Sequence, residues 1–172
     1  MCKSAVNAPA DLAGKRIRTL PNKIITECLR LMGAAATPMA FGEIYTTLQA
    51  GVLDGLEHDP PTIAASKFYE TAKFYSLTQH NFSALGVFCS GLTLSRMEAP
   101  LRDQFLEAAA EAAVDTRARG LEAIEALKQK GVEVIACDRE PFRKLTLPQT
   151  DHFIQAHPEA KPIIDIIRST KA

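Results

Sequence analysis

Four side chains stand where they could build a ligand-binding site in a chain of alternating strands and helices: Arg18, Phe41, Glu57 and His58. Each lies at or just after the end of a short β-like run, and ligands of open α/β sheets bind beside the carboxyl ends of the strands. A guanidinium can pair with a carboxylate through two parallel hydrogen bonds, which a lysine cannot do. Arg18 is therefore a candidate anchor for a carboxylate, although a solvated arginine at a strand end fits the same spacing.

The other three candidates each have two interpretations. The Phe41 ring could form an apolar pocket wall, or it could anchor the first turn of a helix. Glu57 and His58 follow the turn signal Asp54-Gly55 and could form an acid/base or metal-binding pair. A hydrogen-bonded pair in a loop would have the same sequence.

Motifs for other chemistry do not occur in the sequence. It contains neither the phosphate-binding patterns GxGxxG and GxxxxGK[ST] nor the nucleophile motif GxSxG. His152 and His157 are five residues apart, which does not place them on one face of a helix. The four cysteines form no CxxC pair and have no partner histidines at metal-binding spacing: Cys2, Cys28, Cys89 and Cys137. We therefore expect no cofactor, no metal site and no nucleophilic catalysis.

The charge balance argues against two classes of partner. The chain has 172 residues, of which 20 are basic and 20 acidic, so it has no net positive charge to attract nucleic acid or an anionic membrane. With 47% hydrophobic residues, a chain of this length can bury a real core. No run reaches the roughly 20 apolar residues that span a bilayer, and residues 1–16 lack the apolar stretch of a secretion signal.

Short β-like runs alternate with helix-like runs, which is typical of βαβ units and a mostly parallel sheet, and so of the α/β class. The predicted strands are residues 15–19, 37–40, 53–58, 75–78, 82–89 and 132–136. The predicted helices are residues 22–32, with Asn22 as N-cap, then 41–50, 62–73 and 100–130, one helix that begins near Pro141, and one within 158–172.

The predicted helix over 100–130 is long for so small a chain. About 30 residues make a helix of roughly 45 Å, which exceeds the width of a small lobe, so we expect it to bridge two lobes. The apolar run 82–89 precedes it, and we expect this run to be a buried strand that leads toward another part of the structure.

Three stretches resemble the solute-binding receptors of tripartite ATP-independent periplasmic (TRAP) transporters, of the dicarboxylate-receptor (DctP) type. They are DLAGKRIRT, GAAATPMAFGEIYTTLQAGVLDGLEHDP and SKFYETAKFYSLTQH, and the resemblance runs from about residue 10 to about residue 137. It implies a periplasmic-binding-protein-like α/β fold whose two lobes close on a small organic acid, with one long helix lying across both.

The resemblance also implies roles for the candidate residues. Arg18 maps to the arginine that salt-bridges the ligand carboxylate, and Phe41 maps to a pocket-lining position. His58 occupies a ligand-contact position that is often asparagine in the family, and Glu57 lies where some members hold a cation beside the acid. The implied ligand is a dicarboxylate, a 2-oxo acid or a sugar acid. The implied partners are the subunits of a membrane permease, the implied location is the periplasm, and no enzymatic activity is implied.

The resemblance also divides the chain into parts. We expect residues 1–80 to be the ligand-binding lobe, 81–99 a crossover strand toward the other lobe, 100–130 the bridging helix, and 131–172 a return strand with C-terminal helices. We expect the N-terminal lobe of the family to be largely missing. The strand over 82–89 would then expose apolar surface, and two copies of the chain could form a homodimer through it. Two alternatives to a receptor follow: a truncated, self-associating module that binds no solute, and a small hydrolase or lyase that uses His58 with Glu57.

Overall fold

The computed structural model describes residues 1–83 and 85–170. Five short strands lie in it: β1 (Arg16–Thr19), β2 (Ala35–Pro38), β3 (Gly55–Leu56), β4 (Phe74–Ser76) and β5 (Glu133–Ile135). β1 pairs in parallel with β2 on one side and β3 on the other, and β4 pairs in parallel with β5. The predicted α/β class with parallel strands is therefore confirmed.

The N-terminal residues join these two groups of strands. Cys2 forms antiparallel bridges with Gly55 and Phe74, and the Cys2 and Phe74 backbones exchange two hydrogen bonds of 2.8 and 3.1 Å. A Cβ atom on Gly55 would lie 2.5 Å from the Met1 carbonyl oxygen, so only glycine allows this close approach. The order across the molecule is thus β2, β1, β3, Cys2, β4 and β5.

Within the described ranges, seven α-helices connect or follow the strands: α1 (Lys23–Leu31), α2 (Ile44–Gln49), α3 (Pro60–Ala65), α4 (Gly91–Arg96), α5 (Ala99–Gln129), α6 (Glu140–Ala156) and α7 (Lys161–Ser169). Short 3-10 turns cover Pro9–Leu12, Phe41–Glu43, Phe68–Glu70 and Pro158–Ala160. None of the helices within the described ranges is long and apolar enough to cross a membrane.

Side-chain caps define the starts of two helices near the candidate site. The Asn22 side chain accepts hydrogen bonds from the backbone N–H groups of Ile24 and Ile25, as its predicted N-cap role requires. The Asp59 carboxylate accepts from the Thr62 N–H at 3.0 Å and begins α3 directly after His58. The backbone that leaves β3 is therefore held in place by a cap.

The buried side chains of the described residues form two clusters. One joins residues of β3, β4, α2, α3 and α5 with apolar residues from Met1 and the connecting segments: Met1, Ile44, Leu48, Leu53, Leu56, Ile63, Phe68, Ala72, Tyr75, Leu127 and Val132. The other joins residues of β1, α1 and α6 with the N-terminal segment and the turn after α1: Cys2, Val6, Leu12, Ile17, Cys28, Leu29, Met32, Ala34 and Phe142. Apolar burial of this kind stabilises a domain by roughly 25 cal/mol per Å².

Several element boundaries differ from the prediction. The second strand is Ala35–Pro38 instead of 37–40, and the fourth is Phe74–Ser76 instead of 75–78. The predicted helix over 41–50 divides into a 3-10 turn and α2. The predicted helix over 62–73 is wrong beyond Ala65, because Lys67 has a left-handed backbone (φ 55°) that an α-helix cannot contain.

The predicted buried strand over 82–89 is wrong. Among the described residues of this run none lies in a strand, Phe82 is 91% exposed and Phe88 is 94% exposed. One residue of the run, Ala84, lies outside the described part of the chain. A strand forms only when its backbone pairs with a neighbour, and among the described residues this run pairs with none: β4 is flanked by Cys2 and β5, and the run does not join the outer edge of β5 or of β2.

The long helix is confirmed as an element. α5 has 31 residues, which corresponds to about 46 Å, but its side chains from 99 to 120 are mostly exposed. Its C-terminal part packs against α3 and buries Ala123 and Leu127. That α5 bridges two lobes, and that the chain divides at residues 80, 99 and 130, stay predictions.

Candidate functional site

Arg18 lies on the central strand and is fully buried. Its Nε and Nη2 atoms donate hydrogen bonds of 3.0 and 2.8 Å to the carbonyl oxygen of Met39, which follows β2. The third nitrogen, Nη1, is also buried and has no hydrogen-bond partner in the described structure. The Met39 carbonyl therefore orients the guanidinium and leaves one donor unused.

The charge of Arg18 is not neutralised by a direct ion pair. Among the described residues, no carboxylate oxygen lies within 4.0 Å of its guanidinium nitrogens. Burial lowers the pKa of Arg18 from its usual value, and the negative charge of Glu57 opposes that change. A buried donor without a partner costs about 1 to 3 kcal/mol, and more when the group is charged. An anion bound at Nη1 would remove this cost and would also balance the positive charge.

Glu57 follows β3 beside this guanidinium. The register pairs Arg18 with Leu56, and the Glu57 N–H donates to the Arg18 carbonyl oxygen at 3.2 Å. Burial raises the pKa of the Glu57 carboxyl, while the positive charge of Arg18 lowers it. In the described part of the chain, Glu57 belongs to no cluster of three or more potential metal ligands.

His58 is the next residue, and its side chain is 22% exposed. Its Nδ1 accepts a hydrogen bond of 3.0 Å from the Asp59 N–H. Its carbonyl oxygen accepts a bond of 3.1 Å from the Tyr75 hydroxyl, and burial raises the pKa of that hydroxyl. Both the backbone and the ring of His58 are thus held in place.

The Phe41 ring joins the same group of side chains. Its centroid lies 5.6 Å from the His58 ring and 5.8 Å from the Phe68 ring, edge-on to both. Such edge-on contacts stabilise aromatic pairs by about 0.5 to 1.5 kcal/mol. Even with both contacts, Phe41 remains 46% exposed. Its exposed surface is available to the apolar part of a ligand.

The structure therefore brings the four predicted residues together at the carboxyl ends of β1, β2 and β3. Arg18 acts electrostatically on both Glu57 and His58, and Phe41 touches His58. Sequence reasoning missed Met39, Phe68 and Tyr75, which orient the predicted residues. No spacing rule could reveal the Met39 contact, since it depends on a backbone carbonyl from a neighbouring strand.

A second polar feature lies at the carboxyl ends of β4 and β5. The His80 Nδ1 is 2.7 Å from the Thr78 hydroxyl oxygen, its Nε2 is buried with no partner in the described structure, and burial lowers its pKa to about 4. The adjacent cleft has a volume of about 390 Å³, and none of the four predicted residues lines it. Its lining is Thr78, Gln79, His80, Asp138, Arg139, Glu140, Phe142, Arg143 and Thr146.

Comparison with known sequences identifies relatives along most of the chain. Residues 2–156 match the family DctP, described as bacterial extracellular solute-binding protein, family 7. A solute-binding protein of Chromohalobacter salexigens is 33% identical over 172 residues, which cover 97% of this chain and 51% of the relative. The 2,3-diketo-L-gulonate-binding periplasmic protein of Escherichia coli is 30% identical over 171 residues, which cover 96% of this chain and 52% of the relative. The chain thus spans about half the length of the curated relatives it matches.

Solved structures support the same assignment. A TRAP periplasmic solute-binding protein of Polaromonas sp. JS666, bound to D-erythronate, superposes with a TM-score of 0.86 at 32% identity, over 99% of this chain and 57% of that chain. One from Chromohalobacter salexigens, bound to D-glucuronate, gives a TM-score of 0.83 at 31% identity, over 99% and 58%. This likeness confirms the periplasmic-binding-protein-like α/β fold for this chain.

The matched proteins are transport receptors, and the family is not a family of enzymes. The hydrolase or lyase alternative has no support among them. The chain belongs to bacterial extracellular solute-binding protein family 7, the DctP-type solute receptors of TRAP transporters.

Proposed function

We propose that this chain takes part in the capture of a small organic acid, and that Arg18 binds the carboxylate of that acid. The observation that carries the proposal is the buried Nη1 of Arg18, which has no partner in the described structure. A carboxylate placed there would satisfy this donor and neutralise a charge that no direct ion pair balances. Hydrogen bonds of this charge-assisted kind contribute about 1.5 to 3 kcal/mol each.

The remaining predicted residues have complementary roles in this proposal. Phe41 covers the carbon skeleton with its exposed ring, His58 offers a ring nitrogen to the ligand, and Glu57 accepts a hydrogen bond from a ligand hydroxyl. The ligand class is a dicarboxylate, a 2-oxo acid or a sugar acid. Relatives described as binding D-glucuronate, D-erythronate and 2,3-diketo-L-gulonate support this class.

The proposal extends to the partner and the location. Because the matched proteins are TRAP receptors, we infer delivery of the acid to the membrane subunits of a TRAP permease. We place this event in the periplasm, where relatives such as the Escherichia coli protein are described.

The direct test is thermal unfolding against a panel of dicarboxylates, 2-oxo acids and sugar acids. An acid at about 100 times its Kd adds roughly 2.7 kcal/mol of stability, which corresponds to about 5 to 10 °C for a chain of this size. We expect the shift in the unmodified protein and its loss in Arg18→Ala. If Arg18→Ala does not fold, Arg18→Met keeps the side-chain length without the donors.

Arg16→Ala is the matched control, because Arg16 lies on the same strand but pairs with Asp54 at 2.8 Å on the exposed side. It should retain the acid-induced shift. The proposal is overturned if no acid shifts the unfolding temperature, or if Arg18→Ala and Arg16→Ala respond to the acid equally.

Self-association is a second candidate function, favoured by the exposed apolar side chains among residues 82–92. Phe82, Leu85, Val87, Phe88 and Leu92 are 61% to 94% exposed. Exposed apolar patches of this kind often mark protein–protein contacts. In sedimentation velocity over a concentration series, the unmodified protein should form a dimer as the concentration rises. The double variant Phe82→Ser with Phe88→Ser should stay monomeric over the same series. A monomer at every concentration would exclude this candidate.

A further inference from the structure

Residues 99–119 form an arm of α5 that the rest of the described chain leaves uncovered. All of them are exposed except Arg102 and Ala109, which are partly buried. The helix buries side chains further along, at Ala123 and Leu127, where it packs against α3. Helices in water gain most of their stability from packing rather than from intrinsic propensity. The arm is therefore a surface on which a partner would stabilise the helix.

Five residues of this arm form one exposed stripe. They recur every three or four positions, so they lie on the same side of the helix. These residues, the arm stripe, are Asp103, Leu106, Ala110, Val114 and Arg117. Leu106 is 49% exposed and Val114 is 68% exposed. The middle of the arm stripe is thus apolar and open to solvent.

The two ends of the arm stripe carry opposite charges. Asp103 and Arg117 each lie seven residues from Ala110, which is about two helical turns. The Asp103 side chain is 73% exposed, and its one ion-pair contact in the described ranges is 4.0 Å long, to neighbouring Arg102. Within the same ranges Arg117 forms no ion pair. Both charges are therefore available to a second molecule.

We propose that two copies of this chain pair through the arm stripe, antiparallel about a twofold axis at Ala110. In this arrangement Asp103 of each copy faces Arg117 of the other, Leu106 faces Val114, and Ala110 faces its own copy. A parallel arrangement would instead place like charges opposite each other, which is unfavourable. The alanine at the axis lets the two backbones approach closely, because the distance between packed helices depends on the side chains at the contact.

This pairing does not depend on the capture of an acid, and it uses another surface than the self-association candidate at residues 82–92. A dimer held by the exposed side chains of that run would depend on apolar burial. Pairing through the arm stripe depends in addition on two symmetric ion pairs at the surface, which salt screens. The two dimers therefore respond differently to charge reversal in the arm and to ionic strength.

The first experiment reverses the charges one at a time and then together. Sedimentation equilibrium at several loading concentrations gives the dimer Kd of the unmodified protein, of Asp103→Arg, of Arg117→Asp and of the double variant. By symmetry each single reversal turns two attractive contacts into repulsive ones, so it should raise the dimer Kd by roughly 10-fold or more. The double variant restores both opposite-charge contacts and should return to within about 3-fold of the unmodified protein.

The matched control is Asp115→Arg. Asp115 lies on the same arm but outside the arm stripe, and it pairs with Arg119 of its own helix at 2.8 Å. Its reversal should leave the dimer Kd within about 2-fold, because a contact inside one exposed helix contributes little to the pairing of two.

The second experiment places a thiol on the proposed axis. In a Cys89→Ser background, which removes the exposed native thiol, Ala110→Cys should form a disulfide between two copies under mild oxidation, since the two side chains face each other. Ala112→Cys lies two residues further on the same exposed arm and points to another side of the helix. It should remain mostly uncrosslinked under the same conditions.

Three results would overturn the inference. The first is a monomer at every concentration, and the second is a double reversal that does not recover the dimer lost in the single variants. The third is Ala112→Cys crosslinking as readily as Ala110→Cys. A dimer that Phe82→Ser with Phe88→Ser disrupts, and that all charge reversals leave unchanged, would assign self-association to residues 82–92 and refute pairing through the arm stripe.

Discussion

Replacing Arg18 with lysine tests whether the site uses the shape of the guanidinium or only its charge. In the structure the Nε and Nη2 atoms donate to the Met39 carbonyl at 3.0 and 2.8 Å, and the buried Nη1, which we propose binds the ligand, has no partner among the described residues. A lysine has a single nitrogen on a flexible stem. Its ammonium has three donors and could contact the carbonyl and a carboxylate together, but it lacks the planar fork in which binding to the carbonyl fixes the direction of the remaining donors.

The expected magnitude follows from the hydrogen bonds that Arg18→Lys removes. Loss of one charge-assisted bond to the acid weakens binding by about 1.5 to 3 kcal/mol, which is about 10- to 150-fold in Kd. A lysine whose nitrogen stays on the Met39 carbonyl loses one of the two bonds that Arg18 makes there, so the free energy of unfolding without ligand should fall by about 1 kcal/mol. That corresponds to about 2 to 4 °C in Tm for a chain of this size.

Calorimetric titration with the acid that gives the largest thermal shift measures the first quantity, and a melting curve without ligand measures the second. Arg16→Lys is the control, because Arg16 donates to the Asp54 carboxylate and its side chain is 47% exposed. It should bind the acid with a Kd within about 2-fold of the unmodified protein, since its pair is exposed. A Kd for Arg18→Lys within the same 2-fold range would refute the argument that the fork geometry matters.

Three further predictions concern stability and reactivity. The hydrogen bonds from Arg16 lower the pKa of Asp54 from about 3.8 to about 2, so its carboxylate stabilises the fold above pH 4 and loses this effect as the pH falls toward 2. Because the pair is partly exposed, Asp54→Asn should cost about 1 kcal/mol at pH 7 and almost nothing near pH 2, measured by urea unfolding. Asn22→Ala removes the α1 cap and should cost about 1 kcal/mol in the same assay, and an unchanged midpoint would contradict the cap. Burial raises the pKa of the Cys28 thiol to about 11, so a disulfide reagent at pH 8 should react first with exposed Cys89, and Cys89→Ser should remove that fast phase.

Local signals predicted much of the fold. The apolar spacing and the cap residue Asn22 predicted α1, and the run without internal proline predicted α5 almost to its ends. Such features depend on a few neighbouring residues, so a sequence contains what is needed to predict them. The boundaries that moved, such as the end of α3 before Lys67, depend on a backbone angle that side-chain patterns do not report.

The run 82–89 shows where such reasoning fails. Its composition is that of a buried strand, and this is why the sequence predicts one. Burial, however, requires a second surface, and among the described residues the run pairs with no strand and belongs to neither buried cluster. The hydrophobicity of a segment predicts that it tends to pack against another apolar surface. Only the three-dimensional structure shows whether the chain supplies that surface.

For the candidate site, the sequence predicted the positions of the residues along the chain but not their burial. Sequence placed Arg18 at the end of a strand but could not show whether its side chain meets solvent. β1 is a central strand, and its residues Ile17, Arg18 and Thr19 are all buried, as expected for a parallel strand covered on both faces. Such positions normally hold apolar side chains, because a buried charge without an ion pair destabilises the fold. The carboxylate ligand that we propose would account for this exception, because it would supply the negative charge that the buried guanidinium lacks among the described residues.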